Sequence, residues 1–206
     1  MLYWNLAKGR EDMESKIKIV FATGNPHKLQ EINEISKDSG IEFILPPIGF
    51  DPDETGTTFE ENSFIKAKEA ARLSNCIALA DDSGLCVEAL NGEPGIHSAR
   101  YADTPQARIN KLLNNLTDVA NRKAKFVCAM TLVDEFGNVL DKEIGECYGE
   151  IATTQSGTNG FGYDPIFVVD GYGVTMADMS EELKNSISHR AIALSKIISF
   201  VQSELV

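Results

Sequence analysis

The chain has 206 residues, of which 43% are hydrophobic, and a formal net charge of −12. That length supports one domain, or one domain of two lobes, around a sizeable core. The acidic balance argues against a nucleic-acid binder, and with no apolar run of membrane-spanning length and no secretory leader the expected setting is cytoplasmic and away from membranes.

Met1 to Ser15 is charged, without a clear period, and holds the single Trp. It reads as a poorly ordered or peripheral extension, with Met13 a candidate native start, ahead of one domain spanning residues 17–206. Lys16 to Ala22 is a strand. Thr23-Gly24-Asn25-Pro26 breaks it, with Asn25 suited to cap a helix and Pro26 to open one. Leu29, Ile32 and Ile35 mark one face of that helix, which Gly40 is expected to end. Ile41 to Leu45 is a second strand. A helix follows from about Thr58 to Leu73. Ile77 to Ala80 is a short apolar strand of the kind found in a parallel sheet covered on both faces, and Asp81-Asp82-Ser83-Gly84 is expected to stop it. Leu85 to Leu90 reads as a further strand and Thr104 to Leu116 as a helix. Lys125 to Val133 and Val139 to Ile151 form a hairpin, Ile166 to Val169 a strand, and Ser180 to Ser186 and Ser188 to Ser203 serine-capped helices. Alternating strands and helices give way to antiparallel strands, so the fold class is α/β with a mixed sheet. Cys76, Cys86, Cys128 and Cys147 lack metal-ligand spacing and read as reduced, buried thiols.

Several runs carry chemistry. The TGNPHK turn at 23–28 puts free backbone N–H groups and the positive end of a helix dipole beside Lys28. A lysine opposes the dipole there unless an anion is bound, so a phosphate site competes with an ordinary cap. Asp81 and Asp82 follow a buried strand in an α/β sheet, where ligands bind. Neighbouring side chains in an extended chain point oppositely, so one acid can face a cleft while the other serves structure. Hard carboxylate oxygens suit Mg²⁺; the bland alternative is an Asx turn. Glu54 is a candidate second metal carboxylate, and Lys66 on the next helix a candidate phosphate contact. Asn159-Gly-Phe-Gly-Tyr-Asp164 is either a tight turn with Phe161 in the core or a platform: Gly160 and Gly162 permit positive φ, Phe161 offers a π face and Asp164 an acceptor. Lys184 to Arg190 ends with His189 and Arg190 at the first positions of a helix, two potential cations that stability alone would not choose. Arg100 could brace either the acids or a phosphate.

Together TGNPHK (23–28), ETGTTFEENSFIKA (54–67), ADDSGL (80–85), PGIHSARY (94–101), GFGYDPIF (160–167) and KNSISHRAIAL (184–194) resemble the inosine triphosphate pyrophosphatase family, hydrolases of deaminated purine nucleoside triphosphates. The resemblance covers residues 17–200. It departs from the family pattern in the extension before Lys16 and in Asn159, where glycine is frequent. It implies an elongated two-lobed α/β fold, a central mixed, twisted sheet flanked by helices, a cleft between the lobes, and a homodimer. It also implies Mg²⁺-dependent hydrolysis of ITP, dITP or XTP to the monophosphate and pyrophosphate. Carried over by position, Thr23, Gly24, Asn25 and Lys28 correspond to the triphosphate turn, with Lys66 a further phosphate contact. Glu54 and Asp82 correspond to metal ligands, with Asp82 also the proton acceptor, and Ser83 to a substrate contact. Phe161, Gly162, Tyr163 and Asp164 correspond to the base platform, and Lys184, His189 and Arg190 to base-edge and phosphate contacts. A purine-nucleotide sensor without catalysis and a pyrophosphatase for other nucleotides are the competing expectations.

Overall fold

The computed structural model describes residues 16–205; the extension expected at 1–15 lies outside the described residues. In chain order the elements are β1 (Ile17–Phe21), α1 (Pro26–Ile35), β2 (Ile41–Ile44), α2 (Phe59–Ser74), β3 (Ala78–Val87), α3 (Pro105–Asn115), β4 (Lys123–Val133), β5 (Val139–Ile151), β6 (Phe167–Val169), α4 (Glu181–Ile187) and α5 (His189–Glu204), with short 3₁₀ turns between β3 and α3 and around β6. One six-stranded sheet has the order β2-β1-β3-β4-β5-β6. β1 runs parallel to β2 and β3, and the remaining pairs are antiparallel. This is the expected α/β class with a mixed sheet.

Local chemistry sets the helix starts. Asn25, Thr58, Thr104, Ser180 and Ser188 each accept a hydrogen bond from a backbone N–H two or three residues on. Such caps are worth about 1 kcal/mol apiece. α1 ends at Ile35, with Ser36 as its cap, and Gly40 (φ +77°) instead makes the turn into β2.

The core divides. Ile19, Phe21, Ile32, Leu79, Met130, Leu194 and Ile197 pack in one cluster, and Leu85, Leu112, Phe126, Ile166, Phe167 and Met176 in another. β3 contributes Leu79 to the first and Leu85 to the second, and β4 contributes Met130 and Phe126 likewise. The two long strands therefore run from one lobe to the other, and the cleft opens where the cores part. A third cluster seats Ala67, Ala70 and Ala71 of α2 against Val20, Ala78 and Ala80; these small side chains let the helix lie close to the sheet.

Two expectations need correction. Asp81 to Gly84 does not stop a strand. β3 is continuous, and every residue from Ala78 to Val87 is in register with β4. Only Ala78 and Leu79 pair in parallel, with β1. The turn propensity of the DDSG run is local, and ten in-register pairs with a neighbouring strand override it. The strand expected to reach Leu90 ends at Val87, and Glu88–Leu90 is a 3₁₀ turn. The cysteines are free, but only Cys128 and Cys147 are buried, whereas Cys76 is exposed and Cys86 half-buried.

Candidate active site

The turn after β1 is shaped by its own side chains. The Thr23 hydroxyl accepts from the Asn25 N–H at 3.0 Å, and Asn25 Oδ1 accepts from the His27 N–H at 3.0 Å. Gly24 lies exposed at the turn. Lys28 does not reach into water: its ammonium lies 2.9 and 2.8 Å from the two carboxylate oxygens of Asp81.

The pleat of β3 sends its adjacent acids to opposite faces, as an extended chain requires. Asp81 is sealed in a network with Lys28, Arg190 and the Ser83 hydroxyl. Burial would raise its pKa, but Lys28 and Arg190 outweigh that and hold the carboxyl far below the usual range. Asp82 faces Lys66, whose ammonium donates to it at 2.8 Å, and Asn62 Nδ2 approaches its other oxygen at 3.4 Å. Burial raises the Asp82 pKa against the pull of Lys66, so this carboxylate holds a proton more readily than an ordinary one.

Glu54, on the loop before α2, converges on the same point. Lys66 Nζ lies 2.9 Å from Glu54 and 2.8 Å from Asp82, and Arg100 adds a 3.1 Å contact to Glu54. Arg100 therefore braces the acids. Two carboxylates from separate elements aim at one cationic position. Among the described residues no three His, Cys, Asp or Glu side chains form a ready-made metal cage. A pair of carboxylates completed by phosphate oxygens is the donor set that suits Mg²⁺.

At the other end of the cleft, Gly160 (φ +72°) and Gly162 (φ +64°) turn the chain so that Phe161 faces the cavity. Asp164 does not offer its carboxylate outward. It accepts from the Phe161 N–H and from Lys184 Nζ, both at 2.8 Å, and a Cβ on Gly160 would sit 2.1 Å from its oxygen. Tyr163 is buried and donates its hydroxyl to the Ser98 carbonyl at 3.0 Å. Lys184 bridges Asp164 and Glu31 at 2.8 Å each, and its ammonium lies 4.8 Å from the Phe161 ring centre.

His189 and Arg190 sit at the start of α5, as expected, but not as two free cations. His189 is stacked on Phe126, and burial, then Arg190 and Lys184, push its pKa well below the usual value, so the imidazole is neutral. Its Nδ1 is buried without a partner. Arg190 is 2% exposed; its guanidinium is held by Glu31, Asp81 and Ser83. The helix start tolerates this charge because Glu31 and Asp81 neutralise it. Gly145 of β5 makes the approach possible, since a Cβ there would stand 2.1 Å from the His189 carbonyl.

One cavity of about 560 Å³ joins these groups, lined by Thr23, Lys28, Glu54, Lys66, Asp82 and Ser83 toward one end and Phe161, Lys184 and His189 toward the other. Every site residue expected from the sequence lines it. Asp81 lies behind it. Sequence reasoning missed Glu31, whose carboxylate ties Lys184 to Arg190, and Asn62, which reaches Asp82 and accepts from the Gly56 N–H at 2.9 Å. Neither stands in a distinctive pattern: one is a charge on a helix, the other a polar residue among acids.

The Ham1 family model matches residues 19–200. The chain belongs to the Ham1 family. A Treponema denticola protein named dITP/XTP pyrophosphatase is 46% identical over 203 residues, covering 90% of this chain and 99% of the relative. A HAM1 protein structure from Coxiella burnetii superposes with a TM-score of 0.82 at 41% identity, covering 91% of this chain and 99% of that one. The Staphylococcus aureus Ham1 protein gives 0.79 at 42%, with the same coverage. The family assignment agrees with the resemblance drawn from the six motifs.

Proposed function

We propose that this protein hydrolyses deaminated purine nucleoside triphosphates, dITP, ITP and XTP, to the monophosphate and pyrophosphate. The observation that carries the reading is the single cavity with cations and paired carboxylates at one end and an aromatic platform with hydrogen-bonding groups at the other. That layout matches the two ends of a nucleotide, and its relatives' name states the chemistry.

Glu54 and Asp82 would hold Mg²⁺ together with phosphate oxygens. The ion supplies charge neutralisation and orientation of the polyphosphate. Lys28 and Lys66 place positive charge where the pyrophosphate leaves, a stabilisation worth several kcal/mol in phosphoryl transfer. Asp82, which faces the cavity, accepts the proton of the attacking water. The water oxygen bonds to the α-phosphorus as the bond to the bridging oxygen breaks, and pyrophosphate departs with that electron pair.

Base choice follows from hydrogen-bond polarity. Lys184 has three donors, of which two are committed to Glu31 and Asp164. The remaining one, and His189 Nδ1 in the tautomer that carries its proton there, can meet the 6-oxo edge of inosine or xanthine. A 6-amino group would face donors with a donor and leave buried groups unpaired. A panel of dITP, XTP, GTP and ATP, with and without Mg²⁺, tests this through pyrophosphate release. The reading expects dITP and XTP far ahead and strict metal dependence; equal turnover of all four ends it. A sensor without catalysis would bind without turnover, and the same panel separates it. The homodimer that the family resemblance implies is to be checked by sedimentation. The reading places the enzyme with the cytoplasmic nucleotide pool.

A further inference from the structure

His27 belongs to none of the groups assigned above. It sits at the first turn of α1, one residue before Lys28, and its side chain is exposed. Its imidazole nevertheless lies against Phe161 of the opposite wall, with ring centres 5.7 Å apart and planes 17° from parallel. Stacked aromatic partners keep their centres about 4.5–7 Å apart, so the imidazole occupies the shell that a base stacked on Phe161 would need. The His27 and Phe161 rings also border two spaces at once: the main cavity and a smaller one of about 90 Å³ lined by Gln30, Glu31, Asn159 and Met179. Lys184 borders both as well. The stacked pair is thus a partition between the main cavity and the space beside Glu31.

Resting on the nucleotide reading above, we propose that His27 is a gate for the base. In the nucleotide-free protein its imidazole holds the stacking place on Phe161, and a purine enters by displacing it, which joins the two spaces. The cost of displacement falls equally on every nucleotide, but the return does not. A purine offers Phe161 more π surface than an imidazole. A pyrimidine offers scarcely more, so the gate sets a threshold that all nucleotides pay and the Phe161 ring supplies the preference for purines. Lys28 keeps its place on Asp81 when His27 moves, because the Asn25 cap holds the His27 backbone N–H rather than its ring.

The test compares His27→Ala and His27→Phe with the wild type in KM and kcat for dITP, and in the Kd of inosine monophosphate by calorimetry. Removal of the ring is expected to lower KM and Kd roughly three- to tenfold, the value of one aromatic pair, with kcat unchanged. Discrimination against dCTP should stay as in the wild type, because a cost common to both nucleotides cancels from their ratio. Phe at this position should restore the wild-type KM. KM and Kd unchanged or raised in His27→Ala, or His27→Phe behaving as His27→Ala, overturns the gate. Wild-type protein that binds no purine nucleotide overturns the gate and the nucleotide reading together, whereas binding that is indifferent to His27→Ala overturns the gate alone.

Discussion

On one face of β3, Asp81 is 1% exposed and held by Lys28, Arg190 and Ser83; through Arg190 it connects to Glu31, Lys184 and Asp164, all buried. On the other face, Asp82 shares Lys66 with Glu54 and opens onto the cavity. The chemistry of the two side chains is the same and their surroundings are opposite. The sealed face matches charges to counter-charges over a distance that spans the cleft, from the turn after β1 to the loop around Phe161, and so acts as a scaffold. The open face gathers two carboxylates around one buried ammonium, and its second cation, Arg100, is half-exposed at the rim, so these acids stay accessible from the cavity. Buried charge enclosed by its partners fixes geometry; charge at a cavity edge is available for chemistry.

The largest expected break in that comparison is Asp81→Asn. It leaves Lys28 and half of Arg190 uncompensated in the interior, and denaturant unfolding should register a loss of about 3–5 kcal/mol. A loss below about 1 kcal/mol would show that the sealed network is not a scaffold. Glu54→Gln should be milder and of another kind. Glu54 is a half-exposed carboxylate, so stability should barely move. The Mg²⁺ concentration for half-maximal turnover should rise by at least roughly tenfold, since losing even a hydrogen-bond partner of a metal ligand costs about ten- to a hundredfold. Phe161→Leu should raise KM roughly tenfold with little change in kcat, since base stacking on an aromatic is worth about 1–3 kcal/mol.

The smallest effect is a pH slope. The folded pKa of His189 is depressed by burial, then by Arg190 and Lys184. An imidazole that is neutral when folded contributes fully above its unfolded pKa near 6.5, and that contribution is lost as pH falls below it, by up to about 1.4 kcal/mol per pH unit. The Asp81 carboxyl, also depressed, gives stability that persists until pH drops below the unfolded value near 4. Acid titration of unfolding should therefore show a first decline starting near pH 6.5, which His189→Phe removes, and a second below pH 4. Absence of the first decline would show that His189 is not held neutral.

The sequence revealed whatever depends on near neighbours. The caps at Asn25, Ser180 and Ser188 follow from side chains reaching two or three residues along the chain, and the opposed directions of Asp81 and Asp82 follow from the pleat. The motifs revealed the family and the lining of the cavity. What stayed hidden depends on distance in sequence. The acids that neutralise Arg190 lie 159 and 109 residues away, so its burial was invisible and it read as a cation free for a ligand. Asp81 to Gly84 read as a turn because the strand that pairs with it begins 36 residues after Val87. The stacking of His27 on Phe161 joins residues from opposite walls, and neither position marks the other.

The distinction between the two faces of β3 is tested most directly by single-turnover hydrolysis of dITP by Asp82→Asn at saturating Mg²⁺, alongside the affinity of the variant for inosine monophosphate. The account predicts a rate at least roughly a thousandfold lower, within the span of general-base losses, with product affinity and unfolding stability close to wild type. A variant that hydrolyses dITP at the wild-type rate would contradict it, because the carboxylate facing the cavity would then take no part in the reaction.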